Sequence, residues 1–253
     1  MRGNGPALLL PPVIGHRGAA ALAPENTLAG IRLAAEGGAR WVEIDVRLSA
    51  DGVPVLSHDA TLERMAGIDR AVSSLTAAEL GRIAVPGPFS GIFASETMPT
   101  LEVALALSRE LRIGVNVELK AARVRNRALV HAVARTLDDA RGAGGPTVMV
   151  SSFRFALLRE MRRIVPAQPI GYLMGVPKPG WQQRAREIDA AVLICSAQLS
   201  TAADIAALTQ FGRPVACYTV NDVAIARRVF SRGAMSVFSD DPARMLVGLK
   251  TKR

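Results

Sequence analysis

Glu43 and Asp45 stand two residues apart in the run Trp41-Val-Glu-Ile-Asp-Val-Arg47. Glu118 and Lys120 stand two apart in Gly114-Val-Asn-Val-Glu-Leu-Lys120. Both runs read as β-strands, in which residues two apart share a face. The outward face of a strand covered by helices suits Ile44 and Val46, whereas a pair of carboxylates there is costly. Glu43, Asp45 and Glu118 are therefore expected to point inward and to need neutralising. Three converging carboxylates describe a site for a hard divalent cation, Mg²⁺ or Ca²⁺, better than one for zinc. The competing reading is a buried salt-bridge network with Arg17 and Lys120. The carboxylates alone leave these two readings even.

Two of the three histidines tip the balance toward a metal site. His16 ends the first apolar run in Gly15-His-Arg-Gly18, and His58 follows the third in Ser57-His-Asp59. Imidazole titrates near neutrality and suits proton transfer. The expectation is His16 as base and His58 as acid, although order in sequence does not assign the roles. His131 lies mid-helix among polar residues and reads as a surface side chain. Arg17 and Lys120 add two cations to the same rim; Arg grips a phosphate with paired hydrogen bonds and Lys supplies a point charge. Together these groups suit phosphoryl chemistry. Pro24-Glu-Asn-Thr27 opens the first helix. Thr27 reads as a plain cap, while Glu25 and Asn26 are candidates for substrate binding or for ordering the site.

The elements that must position these groups alternate. Short apolar runs rich in β-branched residues occur at 12–16, 41–47, 54–57, 114–120, 147–152, 170–174, 190–196, 214–220 and 234–239, separated by Ala/Leu/Arg-rich helical stretches. This is the signature of βα units around a parallel sheet. Only six residues, including Asp51-Gly52, separate Arg47 from Pro54. A parallel crossover needs a dozen or more. The second and third runs should thus form an antiparallel hairpin that returns His58 close to Asp45. Eight parallel strands then remain. The fold class is α/β, a TIM-type (β/α)8 barrel with a small inserted subdomain after the second-strand hairpin. The whole chain, 1–253, reads as one barrel domain with an insertion at 60–98.

Helices are expected at 26–36, 76–83, 100–111, 201–211 and 221–231, each opened by Thr or Asn, and three of them followed by Gly. Segment 60–98 holds one of them and the apolar stretch Pro86-Gly-Pro-Phe-Ser-Gly-Ile-Phe93. Long excursions of this kind form lids or binding loops. In barrels of this type chemistry occurs at the C-terminal strand ends, where His16, Arg17, Glu43, Asp45, His58, Glu118, Lys120 and Phe153 fall.

Composition narrows the class. The 253 residues fit one barrel. They are 49% hydrophobic but only 4% aromatic, so the core must be aliphatic. No apolar run approaches the ~20 residues that span a bilayer. The opening segment, Met1 to Val13, reads as a short tail and not a signal peptide. Cytoplasmic placement without stable membrane insertion follows as an expectation. Cys195 and Cys217 read as buried inert thiols. The net charge of +9 includes the runs Arg123–Arg127 and Arg159–Arg163. We read it as solvated helix faces, with a basic field attracting an anionic ligand as the alternative. No recognition motif supports nucleic-acid binding.

An ordered set of segments resembles the glycerophosphodiester phosphodiesterase family. These are His16-Arg-Gly18, Pro24-Glu-Asn-Thr27, Glu43-Ile-Asp-Val46, Asp51-Gly-Val-Pro-Val55, His58-Asp59, Pro99-Thr-Leu-Glu102, Asn116-Val-Glu-Leu-Lys120, Ser152-Phe153, Tyr218-Thr-Val-Asn221 and Ser239-Asp-Asp-Pro242. The resemblance implies the barrel and its insertion, and a Ca²⁺- or Mg²⁺-assisted hydrolysis of small glycerophosphodiesters to glycerol 3-phosphate and an alcohol, by a monomer or homodimer. It carries metal ligation onto Glu43, Asp45 and Glu118, and acid–base roles onto His16 and His58. It places Arg17, Lys120, Glu25, Asn26, Phe153 and Tyr218 around the substrate. Family members usually carry Trp where this chain has Tyr218, on the alcohol side of the pocket. Two alternatives accompany this reading. One is a lysophospholipase D-type activity, with Pro86–Phe93 serving a lipid tail; the other is a non-catalytic phosphate-ligand binding barrel.

Overall fold

The computed structural model of the protein describes residues 8–89, 91–122 and 124–251. The first seven residues of the expected tail, Ser90 of the apolar stretch and Arg123 of the basic run lie outside the described residues. In chain order the strands are β1 (Val13–Gly15), β2 (Trp41–Leu48), β3 (Pro54–Leu56), β4 (Thr61–Leu62), β5 (Ile68–Ala71), β6 (Gly114–Leu119), β7 (Val148–Ser152), β8 (Ile170–Leu173), β9 (Val192–Ser196), β10 (Val215–Tyr218) and β11 (Ser236–Ser239). The helices are α1 (Leu28–Glu36), α2 (Glu63–Ala66), α3 (Ala77–Leu80), α4 (Leu101–Glu110), α5 (Asn126–Gly142), α6 (Phe155–Ile164), α7 (Trp181–Glu187), α8 (Ala202–Gln210), α9 (Val223–Ser231) and α10 (Pro242–Lys250).

Strands β1, β2 and β6–β11 run parallel, and β1 pairs with both β11 and β2, which closes an eight-stranded TIM barrel. β3 pairs antiparallel with the upper end of β2, Val46 opposite Leu56. The hairpin ends with the Ser57 amide donating to the Asp45 carbonyl at 3.0 Å, so His58 arrives at the top of β2. Register aligns Glu43 with Asn116 and Asp45 with Glu118 across β2 and β6.

Strand parity separates two cores. Outward residues such as Val42, Ile44, Val46, Val115, Val117 and Leu119 pack under the helical jacket. Inward residues Ile14, Trp41, Met149, Leu173, Val192, Ile194, Ala216 and Phe238 fill the barrel below the mouth. Gly114 makes room there, since a Cβ on it would lie 2.3 Å from the Trp41 ring. Cys195 and Cys217 are buried free thiols in the outer core, 3.8 Å apart. Among the described residues no helix is long and apolar enough to cross a membrane.

Between β3 and α4, Leu62, Val72, Leu75, Leu80 and Met98 bury a small separate core against Val55. The aromatic stretch stays outside it: Phe89 and Phe93 meet edge to face, and Ile92 is exposed.

All five expected helices are shorter than their sequence patterns, α4 and α8 by only one residue at each end. α1 begins at Leu28 and not Asn26, because Asn26 takes a left-handed φ of +57° and Thr27 caps the helix by accepting from the Gly30 amide. α9 begins after an Asp222 cap and not at Asn221. The helix expected at 76–83 shrinks to the four residues of α3, bounded by a Thr76–Glu79 capping box.

The β1–α1 connection is the tightest backbone approach near the mouth. Gly18 has φ +85°, and a Cβ there would lie 2.7 Å from the Gly30 backbone. Gly18→Ala combines left-handed strain with overpacking against backbone, so it should cost about 2–4 kcal/mol. Urea unfolding checks this, and an unchanged midpoint would show that the turn relaxes freely.

Candidate active site

Glu43, Asp45 and Glu118 meet inside the mouth. One carboxylate oxygen from each lies within 4.8 Å of the others, and all three residues are buried. Lys120 Nζ donates to Glu118 Oε1 at 2.6 Å and pairs with Asp45 Oδ1 at 2.9 Å. Arg17 Nε lies 3.4 Å from Asp45 Oδ2. The salt-bridge network thus exists, but it leaves Glu43 Oε1 buried and unpartnered. Asn116, level with Glu43, also leaves its Oδ1 buried without a partner. Asn116 drew no role from the sequence, because one amide in a strand gives no signal by itself. The donors are all hard oxygens, one carboxylate oxygen is unsatisfied, and the acids outnumber the two adjacent cations. The residues present therefore fit a Ca²⁺- or Mg²⁺-like ion.

The electrostatics divide the acids. Burial would raise Asp45, but Lys120 and Arg17 outweigh it and hold its pKa down at about 2. For Glu43 the balance is reversed: burial and the neighbouring Asp45 outweigh the pull of His16 and Lys120 and push it up to about 8. Burial and Asp45 also raise Glu118 against the opposing pull of Lys120.

Each predicted histidine proves to be half of a dyad. His16 Nδ1 lies 2.6 Å from Asp240 Oδ1, and His58 Nδ1 lies 2.7 Å from Asp59 Oδ1. An acid on Nδ1 fixes the ring and its tautomer and leaves Nε2 for other partners. His16 Nε2 is 3.9 Å from Glu43 Oε2. Burial lowers both rings, but the Asp240 hydrogen bond and the Glu43 charge raise His16 overall, while His58 stays lowered. Asn221 donates to the other Asp240 oxygen and Arg47 donates twice to the His58 carbonyl. Asp59 has a local signal, since it adjoins His58. Asp240 falls in the Ser239-Asp-Asp-Pro242 segment of the resemblance, but nothing in it points to His16, which lies 224 residues away and is reached only through barrel closure.

The remaining predicted residues separate into groups. Glu25 accepts both oxygens' worth of hydrogen bonds from Arg17 Nη1, at 2.9 and 3.0 Å, and is also held by Arg64. Asn26, expected among the substrate ligands, is buried with its amide turned to Asp45: Nδ2 donates to Asp45 Oδ2 and Oδ1 accepts from the Asp45 amide, both at 2.9 Å. Its geometry orders a carboxylate of the acidic cluster. Phe153 and Tyr218 meet edge to face at 5.7 Å and line the pocket with His16, Glu43, Asn116 and Glu118. The Tyr218 hydroxyl donates to the Met174 carbonyl at 3.1 Å, so the pocket receives the ring and the extra oxygen is satisfied behind it. His131 lies on α5, away from these groups, paired with Glu160 at 3.1 Å. A larger cavity, about 870 Å³, lies between α7 and α8 around Trp181 and Phe211; its lining includes none of these acids or histidines.

Glu43 sets a test that needs no substrate. Its raised pKa means the folded, metal-free chain binds a proton that the unfolded chain releases at lower pH. Stability from this group is full below the ordinary carboxylate pKa and is lost as pH rises through about 8. Glu43→Gln mimics the protonated form. It should flatten the fall in unfolding free energy between pH 5 and 8 that chelator-treated wild type shows, as urea titrations at several pH values would measure. Identical slopes for the two proteins would refute the burial argument.

Comparison with known proteins agrees with the geometry. The sequence profile of the glycerophosphoryl diester phosphodiesterase family matches residues 16–244. A glycerophosphodiester phosphodiesterase of Caldanaerobacter subterraneus subsp. tengcongensis is 31% identical over 69% of this chain and 71% of its own length. Glycerophosphodiester phosphodiesterase 1 of Bos taurus is 40% identical, but over 42% of this chain and only 33% of that protein. Among solved structures, an Oleispira antarctica phosphodiesterase in complex with its product sn-glycerol-3-phosphate superposes with a TM-score of 0.88 at 31% identity, covering 96% of this chain and 98% of that one. With its profile match running from the first dyad histidine past Asp240, the chain belongs to the glycerophosphoryl diester phosphodiesterase family and is an enzyme of that class.

Proposed function

We propose that the protein hydrolyses glycerophosphodiesters to glycerol 3-phosphate and an alcohol, with His16 and His58 as the proton-transferring pair and a divalent cation, Ca²⁺ or Mg²⁺, held by Glu43, Asp45 and Glu118. The observation that carries this reading is the juxtaposition of two His–Asp dyads, three buried carboxylates and two cations at one barrel mouth. A bound divalent ion would neutralise charge developing on the phosphoryl oxygens. Arg17 and Lys120 are placed to grip and orient the diester phosphate. Glu25 and Asn26 hold Arg17 and Asp45 in position.

One imidazole takes the proton of the attacking hydroxyl through Nε2, and the other returns a proton to the departing alcohol oxygen. The attacking hydroxyl is either glycerol's own, which gives a cyclic phosphate that water then opens, or that of water. Either histidine is built to act, since each has Nδ1 engaged by an aspartate. The alcohol sits against Phe153 and Tyr218, with Leu173, Ile194 and Phe238 forming the apolar part of the same pocket. That apolar wall favours a second reading in which the alcohol carries a lipid tail. Both dyads and all three carboxylates are intact, which counts against a non-catalytic binding barrel.

His16→Ala and His58→Ala should each lower kcat by about 10²–10⁴-fold, with thermal unfolding close to wild type. Near-normal turnover in either variant removes that histidine from the mechanism. Chelation should abolish activity, and added Ca²⁺ or Mg²⁺ should restore it; full activity in excess chelator would sink the metal assignment. Comparing glycerophosphocholine with lysophosphatidylcholine as substrates separates the two readings of the alcohol, because a lysophospholipase D would prefer the second.

A further inference from the structure

The inserted segment sends one side chain back toward the site. Arg64, on α2, donates from Nη1 and Nη2 to the two Glu25 oxygens at 2.8 and 2.7 Å. Its Nε donates to Asp59 Oδ2 at 2.6 Å. The other Asp59 oxygen holds His58 Nδ1, and both Glu25 oxygens accept from Arg17. Charges therefore alternate in an unbroken chain: Arg17, Glu25, Arg64, Asp59, His58. One planar guanidinium engages two carboxylates from different loops through three nitrogens, which an ammonium group cannot reproduce.

We propose that Arg64 is a positioning residue that fixes His58 through Asp59 and Arg17 through Glu25, making the inserted segment part of the catalytic machinery. The proposal rests on the acid–base reading of His58 given above. Sharing Asp59 with Arg64 limits how strongly that carboxylate can hold a proton on the His58 ring. Burial opposes ionisation of both acids, yet Arg64 helps keep Glu25 and Asp59 charged. The other charges facing His58 are Asp45, Lys120 and Arg17, and Arg47 from β2 donates to its backbone carbonyl.

The chain has three histidines, so ring NMR titration follows each one, with His→Ala variants as assignments. The titrations are run on the full chain with saturating Mg²⁺, beside steady-state kinetics. Arg64→Ala leaves the Asp59 charge wholly to His58, so the His58 midpoint should rise. Asp59→Asn removes that charge, so the midpoint should fall. Both variants should lose about tenfold or more in kcat. Arg64→Lys keeps the charge without the fork, and should hold the midpoint near wild type while recovering only part of kcat. A His58 midpoint unmoved by Arg64→Ala would overturn the proposal. So would the same direction of shift in Arg64→Ala and Asp59→Asn, because general loosening of the segment does that. If His58→Ala retains turnover while the two shifts appear as described, the acid–base reading fails and the coupling of Arg64 to His58 stands.

Discussion

Three carboxylates held together out of water are the constraint around which this barrel mouth is arranged. Strand parity leaves no choice in the matter: with Ile44, Val46, Val117 and Leu119 committed to the outer core, Glu43, Asp45 and Glu118 must face in. Like charges at that spacing in a poorly solvated site are unfavourable unless cations answer them. Lys120 and Arg17 answer Asp45, and Lys120 reaches Glu118, but Glu43 has only the Arg17 backbone amide and a distant His16 on Oε2, and its Oε1 has no partner. The imbalance makes the site a receptor for positive charge, and the same imbalance accounts for the crowd of arginine, lysine and asparagine groups within hydrogen-bonding reach.

Much of this was legible from residue order. Alternation of inward acids with outward aliphatics located the carboxylates, and the six-residue turn after Arg47 required a hairpin that returns His58 to β2. What stayed hidden depended on closure and on side-chain conformation. Asp240 sits beside His16 only because β11 lies next to β1, a neighbourhood that no local pattern encodes. Asn26 looked like the first residue of a helix, yet it takes a left-handed backbone so that its amide can face Asp45; the hydrogen bonds of a tertiary partner override helical propensity there. Arg64 has no sequence signal that separates it from the chain's other arginines, and only the fold of the inserted segment shows which acids it meets.

The two dyads differ in how they are built, and the difference follows from topology. Asp59 adjoins His58 on one loop and is divided between that ring and Arg64. Asp240 reaches His16 across strands and is steadied by Asn221 from the neighbouring strand end. Their surroundings differ too: burial, with Lys120 and Arg17, holds His58 down, whereas the Asp240 hydrogen bond and the Glu43 charge outweigh burial and raise His16. The barrel thereby supplies two imidazoles of unlike proton affinity from one pair of residue types.

Closure of β1 onto β11 has a temporal meaning as well as a spatial one. His16 is made 224 residues before Asp240, so the dyad they form does not exist until both β1 and β11 have been synthesised and the ring of strands has sealed. A partly made or partly opened barrel carries its acids but lacks this dyad. Assembly of the barrel mouth is in this way tied to completion of the fold.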